Sequence, residues 1–375
     1  TRRSSDLFSL FRIYADKNNR PAKYSKDNVP YTPKHFLPIS LDGVAEDDFT
    51  LVFGYPGKTN EYLPSIAIEQ IINELNPAKI EIRDKALKVA DGFMRKDNAI
   101  KIQYASKYAS IANYWKKWIG ETQGLKKSNA VAVKRETEKA FQQKIAKTGK
   151  EKEYGTLLAD FDKNYTEIAP YAVARDYFTE IVLRNTELLS MGYKLYQLEQ
   201  VYKSRGEQAF TDRKNNLING LADFYKNFNA TVDEKVFEQL IELYAAKSPK
   251  QFLPQGLTNV NAKNLASEIY TKSKLKNYAG LKELLSGDAK TVLSNLNTDP
   301  GFLLVKELAD IYSKEVAPKY DEINLKITAL QRTYMKAQLE LNTESRIFPD
   351  ANSTLRVTYG KVKGYEPKDA TIYTP

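Results

Sequence analysis

The spacing of apolar residues changes twice along this 375-residue chain, and these two changes constrain the fold more than any other feature. Before Pro64, apolar side chains come in short runs bounded by Pro, Gly, Asp and Asn. From there to residue 342 they recur every three or four positions, which is the period of a helix, and after residue 342 they alternate as in strands. The sequence therefore predicts a helical domain inserted into a β domain.

Four short segments define the β part. Residues 7–14 and 49–53 are apolar, aromatic or β-branched, and they predict buried strands. Residues 37–41, followed by an Asp-Gly pair, predict a strand and a turn. Residues 353–359 alternate apolar and polar side chains and predict a half-buried strand.

Three long apolar stripes define the helical part. The clearest has spacings of 4, 3, 4 and 3, predicts one helix ending at Gly120, and consists of Tyr104, Tyr108, Ile111, Trp115 and Trp118. The other two are Leu188, Met191, Leu195, Leu198 and Tyr202, and Ile323, Ile327, Leu330, Tyr334 and Leu341. Ser65 is placed to cap the first helix and Pro77 to begin the second. Further helices, predicted to complete an antiparallel bundle, lie around 130–147, 171–182, 211–228, 233–246 and 260–310.

Composition narrows the chemistry. The chain has no Cys, which excludes thiol nucleophiles, thiolate zinc sites, iron–sulfur clusters and disulfides. Its single histidine, His35, excludes a histidine-cluster metal site, and we expect neither a cofactor nor a metal. No apolar run approaches the roughly 18 residues of a membrane-spanning helix, so we expect no transmembrane segment.

Basic residues are concentrated in one segment. The chain carries a formal charge of +10, and residues 101–150 hold twelve Lys and Arg against three Glu. A basic surface of this density attracts nucleic acids, anionic lipids or acidic proteins. The solvated face of long helices has the same composition, and this is the more economical interpretation.

Several local motifs are only weak indications of a catalytic or binding site. Residues 54–59 end like a phosphate-binding loop, but Val52 stands where that motif needs its first Gly. Trp115 and Trp118 belong to an apolar stripe, so burial explains them better than base stacking. His35 has no Ser or carboxylate neighbour and is interpreted as a structural or surface residue. Two pairs of carboxylates in polar connections are expected at the surface: Asp47 with Asp48, and Asp160 with Asp162.

Asp6 stands directly before the apolar run at 7–14. In chymotrypsin-like peptidases an Asp in such a setting orients the catalytic imidazole and stabilises its charged form. An Asp beside a strand is more often a turn residue. The residue by itself therefore leaves both interpretations open.

Four segments together resemble serine peptidase family forty-six, the bacterial dipeptidyl-peptidases. They are FSLFRIYAD at 8–16, VFGYPGKTNEYL at 52–63, NYWKKWIG at 113–120 and FPDANSTLR at 348–356. The resemblance runs from end to end of the chain, in order. It implies an α+β fold: a chymotrypsin-like double β-barrel, present in part, with a large antiparallel α-helical domain inserted.

The same resemblance implies a domain order. Residues 1–63 would end the first β-barrel, residues 64–342 would form the inserted α-helical domain, and residues 343–375 would begin the second β-barrel. The chain would then be an internal part of a longer polypeptide.

The resemblance also implies an activity, the release of dipeptides from the free amino end of peptides by a Ser-His-Asp triad. The family's His and Ser would lie outside this chain, which by itself would be inactive. Residues 1–6, TRRSSD, match the family segment that ends in the catalytic Asp, so Asp6 would be the triad acid. Alignment backward from Phe8 would place Leu7 there instead, and we favour Asp6.

The expected partners are peptide substrates with a free N-terminus; no nucleic acid is expected, and a homodimer stays open. The family implies export to the periplasm or the outer face of a Gram-negative bacterium. Two alternatives remain: a non-catalytic helical binding protein that uses the basic face of 101–150, and an inactive relative of the peptidases. The choice between acidic and hydrophobic side chains at the second substrate position would be made in the second barrel.

Overall fold

The computed structural model describes residues 11–342 and 347–375. These residues divide into two compact units. One contains the described residues up to Thr59 together with Ala351–Pro375, and it holds all the strands. The other, within Asn60–Asp350, holds all the helices of the described chain. The two changes of apolar period in the sequence therefore fall close to the two crossings between units.

The strands pair as three antiparallel ribbons of two strands each. In chain order the pairs are β1 (Tyr14–Ala15) with β2 (Val29–Pro30), β3 (Phe49–Gly54) with β4 (Arg356–Lys361), and β5 (Tyr365–Lys368) with β6 (Thr371–Tyr373). In the longest ribbon, Phe49 lies opposite Lys361 and Gly54 opposite Arg356. This ladder joins segments that stand about 310 positions apart in the sequence.

The strand predicted at 49–53 is confirmed, but its predicted burial is wrong. Phe49, Val52 and Phe53 are 68%, 69% and 68% exposed. Among the described residues β3 has β4 as its only strand partner, so neither face of the ribbon is covered. The same geometry leaves β4 exposed at all but its first residue, although a half-buried strand was predicted.

Of the other two strand predictions, the one at 37–41 is wrong and the one at 7–14 is only partly correct. Residues 37–41 form no strand, because Pro38 has no N–H to donate and no neighbouring segment pairs with them. In the run at 7–14, residues 7–10 lie outside the described residues, and only Tyr14 belongs to a strand among the others.

Thirteen α-helices build the described part of the helical unit. They are α1 (Ser65–Gln70), α2 (Asn76–Met94), α3 (Asn98–Lys127), α4 (Ala130–Thr148), α5 (Glu151–Tyr154), α6 (Leu157–Tyr177), α7 (Glu187–Lys226), α8 (Ala230–Lys247), α9 (Ala262–Lys272), α10 (Tyr278–Leu284), α11 (Ala289–Leu296), α12 (Pro300–Ile311) and α13 (Ala317–Leu341). Stretches of π-helix at Ile71–Leu75, Phe178–Asn185 and Tyr312–Val316 adjoin α2, α6 and α13, and short 3₁₀ turns lie at Lys250–Phe252, Gln255–Leu257 and Lys274–Lys276.

The apolar stripes read from the sequence face the core. In α7 the first four stripe residues are at most 1% exposed, and Tyr202 packs against the same cluster. In α13 Ile323, Ile327 and Tyr334 are buried in a second cluster that also takes side chains from α4 and α6. Burial of apolar surface at about 25 cal/mol per Å² is the main force that holds such helices together.

Several predicted helix ends are wrong for local reasons. α3 passes through Gly120 to Lys127, because a Gly inside a helix costs only about 1 kcal/mol relative to Ala and Gly120 does not take the left-handed conformation of a helix end. The region 260–310 is divided among four helices. Pro77 lies in the first turn of α2 as predicted. Ser65 is not the cap of α1; its hydroxyl donates to Glu138 Oε2 at 2.6 Å.

The two ends of the helical unit lie side by side. The Glu61 backbone N–H donates to Asp350 Oδ1 at 2.9 Å, and the Tyr62 hydroxyl donates to the Phe348 carbonyl. A domain inserted into another must enter and leave at neighbouring points, and this pair of contacts meets that requirement. Within the described residues no helix combines the length and the apolar character needed to cross a membrane.

Truncation of one buried stripe residue tests the assignment of the core. Leu195 on α7 is fully buried, so Leu195→Ala is expected to lower the free energy of unfolding by about 2–5 kcal/mol. Leu325→Ala is the matched control, because Leu325 is 70% exposed on α13 and its loss should change stability by about 0.5 kcal/mol or less. Urea denaturation followed by circular dichroism measures both, and equal effects would contradict the assigned core.

Candidate functional site

The candidate site residues of the sequence analysis do not converge in the described structure. Asp6 and the alternative Leu7 lie outside the described residues. His35 is exposed in a segment without regular structure. Of the carboxylates expected at the surface, Asp47, Asp48 and Asp162 are exposed and Asp160 is half-buried. Asp47 pairs with Lys363 at 2.9 Å. The described residues among these candidates do not form a catalytic group by themselves.

The aromatic stripe of α3 packs against α2 and does not form an exposed surface for base stacking. Trp118 is buried, and the Arg83 guanidinium lies 4.8 Å from the centre of its ring. Lys79 lies at the same distance from that ring. Trp115 is half-buried, and Tyr114 is 53% exposed. Cation–π contact with Trp118 favours placing the two basic side chains of α2 against α3.

Arg83 anchors a buried polar group at the end of the π-helical stretch. Its Nε donates to Glu180 Oε2 at 2.6 Å and its Nη2 to Glu180 Oε1 at 3.1 Å, which is a two-point ion pair. The Asn185 side-chain amide donates to the Glu180 carbonyl at 2.7 Å and to Glu180 Oε2 at 3.2 Å. The orientation of the Asn185 side chain is therefore fixed, since its nitrogen faces two oxygens that can only accept.

Asp233 is the most deeply buried carboxylate of the same region, with 2% exposure. It accepts the backbone N–H groups of Glu187 and Leu188, both at 2.8 Å, and the Tyr270 hydroxyl at 2.6 Å. The side chain thus satisfies two of the free N–H groups at the start of α7 from a different helix. Burial, followed by the nearby Glu187 charge, raises the pKa of Asp233 to about 7, while the three hydrogen bonds limit the rise.

Glu187 links this carboxylate to α3. Its Oε2 accepts the Tyr104 hydroxyl at 2.9 Å, and its Oε1 accepts Lys107 Nζ at 2.6 Å. Lys107 donates in addition to the Asn227 carbonyl. Burial, and secondarily the charge of Glu187, raises the pKa of Tyr104 well above its ordinary value, so this phenol stays protonated as a donor.

These groups surround a cleft of about 420 Å³ between α2, α3, α7 and α8. Its polar lining includes Lys107, Arg184, Asn185, Glu187 and Asp233. None of the three Ser side chains that line the cleft, Ser106, Ser110 and Ser190, donates a hydrogen bond to Glu187 or Asp233. No sequence pattern indicated this cleft, because Glu187 and Asp233 stand 46 positions apart and each is by itself an ordinary first-turn acid of its helix.

The basic segment 101–150 lies mainly on α3 and α4. Six of its twelve basic side chains donate hydrogen bonds: Lys107, Lys117, Lys134, Arg135, Lys144 and Lys150. The other six are exposed and have no side-chain partner in the part of the chain that the structure describes: Lys101, Lys116, Lys126, Lys127, Lys139 and Lys147. No group of acidic or His side chains suited to a metal ion occurs among residues 11–342 and 347–375.

Comparison with known proteins identifies the class first: the chain is similar to bacterial dipeptidyl-peptidases. It is 73% identical over 368 residues to an Asp/Glu-specific dipeptidyl-peptidase of Flavobacterium psychrophilum and 55% identical over 368 residues to one of Capnocytophaga gingivalis, covering 98% of this chain and 52% of each relative. It is 32% identical over 381 residues to dipeptidyl-peptidase 7 of Porphyromonas gingivalis, covering 98% of this chain and 51% of that relative. The chain therefore spans about half the length of these relatives.

The family follows from a match over almost the whole chain. The model of the family described as Peptidase S46 matches residues 2–375, and the chain belongs to this family. The resemblance found in the sequence is confirmed. Among solved structures, Porphyromonas endodontalis DPP11 in complex with the dipeptide Arg-Glu superposes with a TM-score of 0.74 at 27% identity, over 97% of this chain and 52% of that one.

The buried carboxylate predicts a pH dependence of stability. The pKa of Asp233 is higher in the native state than the ordinary value of about 3.9 in the unfolded chain, so the native state binds more protons between the two values. This residue's contribution to stability therefore falls as the pH rises from about 4 to about 7. Asp233→Asn is expected to remove that slope. It should also lower the free energy of unfolding by about 1–3 kcal/mol at the acidic end of this range, because an amide cannot accept from both backbone N–H groups.

Urea denaturation at several pH values measures the slope directly. The control is Asp223→Asn, which changes an exposed Asp on α7 and should leave the slope as it is in the unmodified chain. An unchanged slope in Asp233→Asn would show that Asp233 is charged throughout and functions only as a helix cap.

Proposed function

We propose that this chain is part of a serine exopeptidase that releases dipeptides with Asp or Glu at the second position from the free amino end of peptides. One observation carries the proposal: the 73% identity, over 98% of the chain, to a relative named Asp/Glu-specific dipeptidyl-peptidase. Within one organism, Capnocytophaga gingivalis, the Asp/Glu-specific relative is 55% identical to this chain and dipeptidyl-peptidase 7 is 29% identical. Peptides with a free N-terminus are the proposed substrates.

The proposal includes the rest of the fold. Residues 1–63 and 343–375 would belong to two chymotrypsin-like β-barrels, and residues 64–342 would be the domain inserted between them. The exposed aromatic and aliphatic side chains of β3 support this proposal, because a strand of a larger sheet needs such side chains on its covered face. β3 and β4, assigned by sequence to different barrels, pair with each other in one ladder.

The proposed chemistry is acyl transfer through a Ser-His-Asp triad. Asp6 would hold the imidazole in the tautomer that accepts the serine proton and would stabilise the charged imidazolium. The His and Ser would come from outside this chain, and backbone N–H groups near that Ser would stabilise the oxyanion. The proposed location is the periplasm or the outer face of a Gram-negative bacterium.

The second candidate is a binding module that uses the basic face of α3 and α4. Its support is the group of six exposed Lys side chains that have no partner among the described residues. Binding of this kind would weaken steeply with ionic strength, because an acidic partner releases counterions from a basic surface. Dipeptide release would instead depend on a free substrate amine.

Peptide cleavage by the complete polypeptide that contains this chain tests the first proposal. Fluorogenic dipeptides with Glu at the second position should be cleaved faster than those with Leu, by about tenfold or more, because a site that pairs a substrate charge rejects substrates that leave its own charge unpaired. Amino-blocked versions of both substrates are the controls and should not be cleaved. Faster cleavage of the Leu substrate would contradict the proposed specificity for acidic side chains. If the intact polypeptide releases no dipeptide, the binding module is favoured instead.

Replacement of Asp6 tests the proposed triad acid. In the same complete polypeptide, Asp6→Ala should lower kcat by roughly three to four orders of magnitude without loss of folded structure. Asp42→Ala is the matched control, because Asp42 is an exposed acid in the same β-rich unit and should leave kcat unchanged. Near-normal turnover in Asp6→Ala would exclude this residue from the triad.

A further inference from the structure

The basic face of α3 and α4 carries positive charge that nearby acids do not neutralise. Residues 101–150 contribute +9 of the chain's formal +10, so the rest of the chain is close to neutral. Glu121 pairs with Lys117 at 3.0 Å. Glu138 is buried and accepts both its hydrogen bonds from Ser65. The six exposed lysines of this face, which have no partner among the described residues, are Lys101, Lys116, Lys126, Lys127, Lys139 and Lys147.

Lysines on another long helix of the same unit are paired. On α13, Lys319 and Lys326 lie 3.1 Å and 2.6 Å from Glu322, and Lys336 lies 3.7 Å from Glu340. Pairs of this kind, one turn apart, are the usual arrangement on a solvated helix. Between their described residues, α3 has one such pair and α4 has none. The solvated surface of a long helix therefore does not explain the basic face.

The basic face is too extended for a small ligand. α3 has 30 residues and is about 45 Å long. Lys116 and Lys127 stand about three helical turns apart and thus on one side of α3. Lys139 and Lys147 lie on the side of α4 away from the buried Phe141. A partner that contacts these lysines together must be an extended polymer or a large surface.

A polymer with carboxylate groups fits this face best. Its unpaired cations are all Lys, whereas recognition of phosphate and nucleic acids favours the planar fork of Arg. Trp118 is buried and Trp115 is half-buried, so neither presents a ring for base stacking. A helix that lies on a membrane needs an exposed apolar side, but the apolar sides of α3 and α4 pack inside the unit.

We propose that the basic face binds acidic segments of polypeptides, with their carboxylates spread along α3 and α4. Each Lys ammonium is a hydrated point charge on a flexible stem, so this binding depends on the number of carboxylates and is screened by salt. Its role in catalysis rests on the proposed peptidase function. There the face holds the part of an acidic substrate beyond the released dipeptide and raises the rate of association.

Fluorescence anisotropy of the 375-residue chain measures the binding without turnover. A labelled peptide of alternating Glu and Gly, about ten residues long so that it spans roughly 35 Å, should bind. The same peptide with Gln in place of Glu should bind about tenfold or more weakly, and salt raised from about 50 to about 200 mM should weaken the acidic peptide about tenfold. Equal binding of the two peptides, or tighter binding of single-stranded DNA of equal charge, would overturn the proposal.

A variant with three substitutions locates the binding on this face. Lys116→Gln, Lys127→Gln and Lys139→Gln together should weaken the acidic peptide about tenfold, because three of its charge contacts are lost. Unchanged affinity would show that the peptide binds elsewhere. The comparison of the Glu and Gln peptides uses the unmodified chain, so it decides the proposal even if this variant is unstable.

The matched control removes the same charge from other helices. Lys263→Gln, Lys282→Gln and Lys290→Gln together change exposed lysines of α9, α10 and α11 and should leave the affinity within about twofold. Equal weakening in the two variants would assign the binding to net charge and overturn the proposed face.

The role in catalysis is measured in the complete polypeptide. The variant at Lys116, Lys127 and Lys139 should lower kcat/KM for a long acidic peptide about fivefold at low salt. It should leave kcat/KM for fluorogenic dipeptides unchanged, because they have no acidic segment beyond the cleaved bond. Equal kcat/KM on the long peptide would overturn this role. An unmodified polypeptide that binds the acidic peptide but cleaves no dipeptide would contradict the proposed function and still support the basic face.

Discussion

The adjacency of the two ends of the helical unit is the constraint on which the rest of the structure depends. The β3–β4 ladder joins residues about 310 positions apart, and closing a flexible loop of that length would cost about 5 kcal/mol in chain entropy. Folding of the helical unit reduces this cost, because it already holds Glu61 within hydrogen-bond distance of Asp350. Each β segment can then find its partner through a short connection.

The helical unit is stable because its apolar stripes are long, yet its interior is not wholly apolar. Three polar residues meet at the start of α7: Asn185 from the preceding π-helical stretch, Glu187 from α7 itself and Asp233 from α8. Each backbone N–H exposed by the interrupted helix needs an acceptor, and Asp233 supplies two of them. At the same interruption, the buried Asn185 Oδ1 receives no hydrogen bond from the described residues.

Much of the fold could be predicted from the sequence, because the spacing of apolar residues alone distinguishes helices from strands. The stripes of α3, α7 and α13 were read correctly, and so was the strand at 49–53, because these segments have many residues that report the same period. The predicted burial of the strands is wrong, because the sequence pattern of an apolar strand is the same whether or not another sheet covers it. The predicted helix end at Gly120 is wrong, because a single Gly destabilises a helix less than the packing of a long apolar stripe stabilises it.

The sequence by itself determined the order of β, helical and β segments, the stripes that face the core, and the family, because all of these depend on neighbours along the chain. Only the tertiary structure decided which polar residues meet. Asp233, Glu187, Tyr104 and Tyr270 come from four separate helices, and each reads in the sequence as an ordinary helix residue. Their burial and their hydrogen bonds arise from packing between helices, and no local pattern encodes contacts between residues so far apart in the chain.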